Sequence, residues 1–140
     1  MVQQRQRPTV VTVLAILAFI GGILGILAGL AIIAAGGIVA STGAAVGTTT
    51  AASAGGFLLV LGVITLILGV LDIVFGIGAW RLSPWAWTLG VGLEVVNIII
   101  AILFITQGAS AGSEVVGIII SLVVLYYLTR PNVRQAFGRA

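Results

Sequence analysis

Neither cysteine nor histidine occurs in the 140 residues, and charged side chains make up only 6% of them. Without cysteine there is no disulfide, thiolate metal site, cysteine nucleophile or lipidated thiol. Without histidine the commonest general base, metal ligand and haem ligand are gone. Lysine is missing as well, so no phosphate loop ending in Gly-Lys-Ser/Thr is present. The glycine-rich stretches lie inside apolar runs and follow no strand, so they are not nucleotide fingerprints. Acidic residues number three: Asp72, Glu94 and Glu114. An intramembrane Asp and Glu form the raw material of an aspartyl dyad, but the flanking motifs of intramembrane aspartyl proteases are not there. No catalytic set can be assembled, and the chain reads as non-enzymatic, with no metal and no cofactor.

Hydrophobic residues fill the space that charge leaves. They account for 61% of the chain, and the mean hydropathy is +1.34. An ordinary soluble domain is about a quarter charged, so a water-soluble fold is excluded as the primary reading. The pI of 10.7 comes from six arginines scattered singly, which is no footprint for nucleic acid. Four apolar runs, at about 9–35, 57–80, 85–106 and 114–129, each approach the ~20 residues needed to cross a bilayer. Backbone polar groups in lipid must pair internally, so each run is expected to be a helix. The fold class is therefore all-α: a polytopic membrane protein with four transmembrane helices in an antiparallel up-down bundle. It is expected to form a single domain over residues 1–140.

The arginines orient that bundle. Arg5 and Arg7 precede the first run, Arg81 separates the second from the third, and Arg130, Arg134 and Arg139 follow the fourth. The connections 41–56 and 107–113 contain neither Arg nor Lys. Positively charged loops stay cytoplasmic, so the protein is placed in the cell membrane with both termini on the cytoplasmic side. A signal peptide is disfavoured, although Arg5 and Arg7 resemble its basic segment and Val39-Ala40-Ser41 loosely resembles a cleavage site. The first run is far longer than the ~7–15 apolar residues of a signal segment, and it is read as a retained span. It is also longer than lipid requires, which predicts tilt or an exposed last turn.

The connections differ in character. Residues 41–56 are small, uncharged and of low complexity, and they read as a flexible connector. The stretch Arg81-Leu82-Ser83-Pro84 is short enough to make a tight hairpin, with Pro84 suited to the first helical turn. Ser113 reads as an N-cap for the fourth span, and Glu114 sits favourably at that helix's positive end. Pro131 ends the span, and the tail, with Val133, Ala136 and Phe137 among its arginines, reads as a short interfacial segment. Trp80, Arg81, Trp85, Trp87, Tyr126, Tyr127 and Arg130 gather at the cytoplasmic ends as interface anchors. The outer side has neither Trp nor Tyr. Chance in a small set accounts for this, and so does partner protein around the outer ends.

Glycine is abundant, with 20 copies, although in water each costs a helix about 1 kcal/mol relative to Ala. In lipid, small residues let helix backbones approach. The first span offers Gly21, Gly25 and Gly29 at four-residue steps, with Gly22 beside them. The second offers Gly62, Thr65, Gly69, Asp72, Gly76 and Ala79, alternating steps of three and four as in left-handed packing. The third has Ala86, Gly90, Glu94, Asn97 and Ala101 on one face, and the fourth has Gly117 and Ser121.

Asp72 and Glu94 are each eleven residues from Ser83, which puts both roughly 12–14 Å above the cytoplasmic interface. Asn97 lies one turn beyond Glu94. The three are expected to form one polar cluster near the bilayer midplane, with at least one carboxyl protonated. As structure, the cluster is hydrogen-bond glue between spans two and three; as function, it is a proton or cation site; exposure in an internal crevice is a third reading.

At Arg7-Pro-Thr-Val-Val-Thr-Val-Leu-Ala-Ile-Leu17, Gly78-Ala-Trp-Arg-Leu-Ser-Pro-Trp-Ala-Trp87 and Leu125-Tyr-Tyr-Leu-Thr-Arg-Pro-Asn-Val-Arg134 the chain resembles a widespread group of small four-span prokaryotic membrane proteins. That resemblance implies a four-helix membrane fold and no particular activity, and its motifs are topological anchors. The expected role is a structural or accessory subunit, packing through its glycine faces with itself or with a larger membrane complex. The alternative is a small oligomeric transporter or channel using Asp72, Glu94 and Asn97. The partners expected are membrane lipids and a membrane protein or a second copy, with no nucleic acid.

Overall fold

A computed structural model describes residues 8–106, 108 and 111–138, and for Ser113 the backbone alone. The expectations for Arg5, Arg7, Arg139 and part of the loop 107–113 fall outside the described residues. Helices α1 (Thr9–Ala45), α2 (Thr49–Trp80), α3 (Pro84–Thr106), α4 (Ala111–Leu128) and α5 (Pro131–Ala136) make up the fold, and no strand occurs among the described residues. The first three are long and apolar enough to cross a membrane, and α4 is a shorter apolar helix. At about 1.5 Å per residue, the 37 residues of α1 span ~55 Å, well beyond a hydrocarbon core of ~30 Å. The 18 residues of α4 reach ~27 Å.

The connector expected at 41–56 is instead mostly helix. Only residues 46–48 turn. Amide Thr48 donates to the Gly43 carbonyl (2.9 Å) and Gly47 to that of Ala44 (3.3 Å), while Gly47 takes φ +71°. This is a Schellman closure with glycine in the left-handed position, which satisfies carbonyls that the end of α1 would leave unpaired. The α2–α3 turn repeats it, with Ser83 donating to Gly78 (2.9 Å) and Leu82 to Ala79 (3.0 Å). Here the left-handed residue is Leu82, at φ 55°, a conformation that costs a side chain roughly 1–2 kcal/mol. Serine hydroxyls that a loop would expose are absorbed by the helices: Ser41 donates to the Ile38 carbonyl (3.0 Å) and Ser53 to that of Thr50 (2.9 Å).

At the other end of the chain, α4 opens at Ala111, so Ser113 stands inside the first turn instead of capping it, with Glu114 in the same turn. Arg130 precedes α5 with an extended backbone (φ −61°, ψ 139°), the region that a following proline enforces. Pro131 therefore both ends the long helix and begins the short one. Val133 and Phe137, expected at a lipid interface, are fully enclosed by protein. Their apolar surface is removed from water without insertion into lipid.

The described residues form two compact units. One is Phe19–Ile73, a hairpin of α1 and α2. The other joins the residues up to Ala18 to those from Val74 onward, and in it α3 packs along α4 and α4 against α5. The largest fully buried side chains, Phe137, Leu128, Val11 and Val133, all belong to this second unit.

Candidate functional site

The first unit is organised by glycine. A methyl group placed on Gly29 meets the Leu66 amide nitrogen at 2.6 Å, on Gly69 the Ile26 nitrogen at 2.7 Å, and on Gly62 the Ile33 nitrogen at 2.8 Å. Gly25 faces the Gly69 Cα at 3.1 Å. These positions were anticipated. Others carry the seam further: Gly22 against Gly69 and Ile73, Gly36 against Leu59 (2.8 Å), Gly55 against Ala40, and Gly43 against Ala52 (2.6 Å). The paired numbers rise on one helix as they fall on the other, so the contact is antiparallel over its whole length. The obstacles are backbone atoms for the most part, which cannot rotate away. Thr65, on the same stretch of α2, turns its hydroxyl back to the Leu61 carbonyl at 2.8 Å, so its polar group is satisfied within its own helix.

In the second unit Gly90 lies against the Phe75 ring and Gly78 against Ala86 and the Trp85 ring. Gly76 is buried. Gly21 and Gly117 behave differently: a methyl group on either meets nothing within 4 Å.

Several of the aromatic and basic residues expected as anchors meet in this second unit. The indole Nε1 of Trp87, near the start of α3, donates to the Leu128 carbonyl at the end of α4, 2.7 Å away. That carbonyl is one of the four that a helix end leaves unsatisfied, so the bond fixes the two helix ends together. Arg134 of α5 stacks over the Trp87 ring at 5.5 Å. Arg130 lies over Tyr126 (5.3 Å) and Tyr127 (5.5 Å), whose rings meet edge to face at 5.8 Å. The Arg130 Nη2 also donates to the Tyr126 hydroxyl at 3.5 Å, and this bond pushes the guanidinium pKa up, so the charge is permanent. Trp80 and Trp85 at the neighbouring helix ends are about half exposed. Arg134 was absent from the expected anchors. Its partner Trp87 is 47 positions away in the chain, and no local spacing connects them.

Of the polar residues expected within the spans, Asp72 belongs to the first unit and Glu94 and Asn97 to the second. Glu94 and Asn97, three positions apart on α3, share a helix face, and all three residues are half-buried. Comparison with protein-family models, with curated proteins and with solved structures returned no match.

Proposed function

We propose that this chain is a non-enzymatic membrane protein of the cell membrane, with both termini cytoplasmic, that serves as a structural subunit and docks through its unused small-residue surface onto a second copy or a larger membrane complex. The observation that carries the proposal is the division of the glycines. Those at 22, 25, 29, 36, 62 and 69 are consumed by helix contacts, while Gly21, Gly92 and Gly117 meet nothing. A glycine facing lipid sacrifices helix propensity and receives no close contact in return. A docked helix supplies that contact.

The test is to place leucine at the open positions. Gly21→Leu and Gly117→Leu are expected to leave the isolated chain folded, since no atom of it stands in the way. They are expected to weaken assembly by about 1–3 kcal/mol each, the usual cost of overfilling a close-packed contact. Native mass spectrometry after mild extraction reads both properties at once. Assembly equal to wild type in both variants would sink the subunit reading.

The half-buried Asp72, Glu94 and Asn97 support a second reading, a proton or cation pathway in an oligomer, because an ionisable residue in a span is costly and marks a function by default. Flux in proteoliposomes separates the two. Under the subunit reading neither wild type nor the Asp72→Asn, Glu94→Gln variant conducts, and assembly survives because amides still form hydrogen bonds. Under the transport reading wild type conducts and the amide variant, which cannot titrate, does not.

A further inference from the structure

The end of the second unit that carries the α2–α3 turn and the close of α4 has positive charge with no carboxylate side chain of that unit beside it among the described residues. Of the two side-chain carboxylates in this unit, Glu114 is fourteen residues before Leu128, ~21 Å along α4. Glu94 lies seven residues beyond Trp87, ~10 Å along α3. Those separations, measured along the helices, exceed the ~4 Å of a close ion pair. Arg130 and Arg134 therefore hold charge open to a counter-ion from outside this unit.

The geometry also says what kind of counter-ion fits. Arg134 stacks on Trp87 and Arg130 on the two tyrosines. Stacking occupies the face of a guanidinium and leaves the donors of its edge, apart from the Arg130 Nη2 contact to Tyr126, for a planar or tetrahedral oxyanion. The two arginines are one turn apart, the Arg134 amide donating to the Arg130 carbonyl at 2.9 Å. Below them the flank of α4 is apolar and exposed at Ile119, Leu122, Val123 and Tyr126. A charged edge above an apolar flank matches an amphiphile better than a free ion or an acidic peptide.

We infer that Arg130 and Arg134 clamp the headgroup of an anionic phospholipid, with the phosphodiester on the guanidinium edges and the acyl chains along α4. The inference rests on the membrane reading above, and Trp80 and Trp85 place the same end at headgroup level under that reading. Each arginine near an anionic membrane surface contributes enough that removing two lowers affinity about 30-fold.

The experiment is native mass spectrometry of the detergent-solubilised protein titrated with phosphatidylglycerol or phosphatidylcholine. Wild type is expected to retain phosphatidylglycerol preferentially, and the preference should fall as sodium chloride is added. Arg130→Gln with Arg134→Gln should lose it about 30-fold. Arg130→Lys with Arg134→Lys should keep part of it, since charge persists while the stacked fork is lost. Equal retention of both lipids by wild type overturns the proposal, and so does an unchanged preference in the Gln variant. Displacement of phosphatidylglycerol by millimolar inorganic phosphate also overturns it, in favour of a free-anion site. The wild-type salt series and the phosphate competition decide the matter even where the Gln variant does not fold. Orientation is checked apart from this, by labelling Asn132→Cys in intact cells with an impermeant thiol reagent. Labelling from outside defeats the cytoplasmic placement and leaves the lipid result standing.

Discussion

Replacing Gly69 with leucine is expected to break the α1–α2 hairpin, while leucine at the adjacent Val70 leaves it intact. At Gly69 the first added carbon lies 2.7 Å from the Ile26 nitrogen, 2.8 Å from the Gly22 carbonyl oxygen and 2.9 Å from the Gly25 carbonyl carbon. All three are main-chain atoms of a continuous helix, so relief requires the two helices to separate. Overpacking in a core that can adjust costs about 1–3 kcal/mol, and a contact with nothing to rotate away lies at or above the top of that range. Val70 is 44% exposed, so one more methylene there has open space to enter. Thermal aggregation of the purified protein in detergent should begin at a clearly lower temperature for Gly69→Leu than for Val70→Leu. Equal behaviour of the two variants would show that the seam does not hold the hairpin.

That seam also marks how far the sequence can be read. The expected α2 stripe of Gly62, Thr65, Gly69, Asp72, Gly76 and Ala79 follows alternating steps of three and four, and of these Gly62 and Gly69 lie against α1 backbone. On α1 the expected series Gly21, Gly25, Gly29 steps by four, which exceeds the helical repeat of 3.6 and drifts around the helix. The contact follows Gly22, Gly25, Gly29, Gly36 and Gly43 instead, a set spaced by three, four and seven that keeps to one side. Both series were available in the sequence, and the 3.5-residue period is the signal that separates them.

The hairpin tip was less legible. Residues 41–56 have the composition of a linker, because glycine, alanine, serine and threonine lack an apolar face of their own. They become helical here by pairing with each other, Ala40 with Gly55 and Gly43 with Ala52. The information lies in partners fifteen and nine residues away, which composition does not report. The boundaries of α3, by contrast, were nearly as expected, since Pro84 fixes one end by local chemistry alone. The stacking of Arg134 on Trp87 belongs to the first kind: it depends on α4 bringing its end back to the start of α3.

The second large effect is expected at Phe137. Its side chain is 0% exposed and follows the last turn of α5, the Phe137 amide donating to the Val133 carbonyl at 3.2 Å. In lipid, moving an apolar side chain onto protein gains little from excluding water, because acyl tails are as apolar as leucine. Phe137 stands beyond Arg130, where under the proposed topology the chain has left the hydrocarbon and the hydrophobic effect applies in full. Phe137→Ala should therefore cost about 3–5 kcal/mol, all of it on the docking of α5. The same truncation at Ile120, 56% exposed on α4, should cost little. Trypsin reads the difference. It does not cut before proline, so Arg130 is protected and the Arg134–Gln135 bond reports on α5. When α5 detaches before it is cut, cleavage tracks the open population, and a loss of about 3 kcal/mol corresponds to an increase of roughly 100-fold. The onset of aggregation attributed to the α1–α2 hairpin should not move with it. A cleavage rate unchanged by Phe137→Ala would mean that α5 is held by its arginines on the aromatic rings and not by the buried phenylalanine.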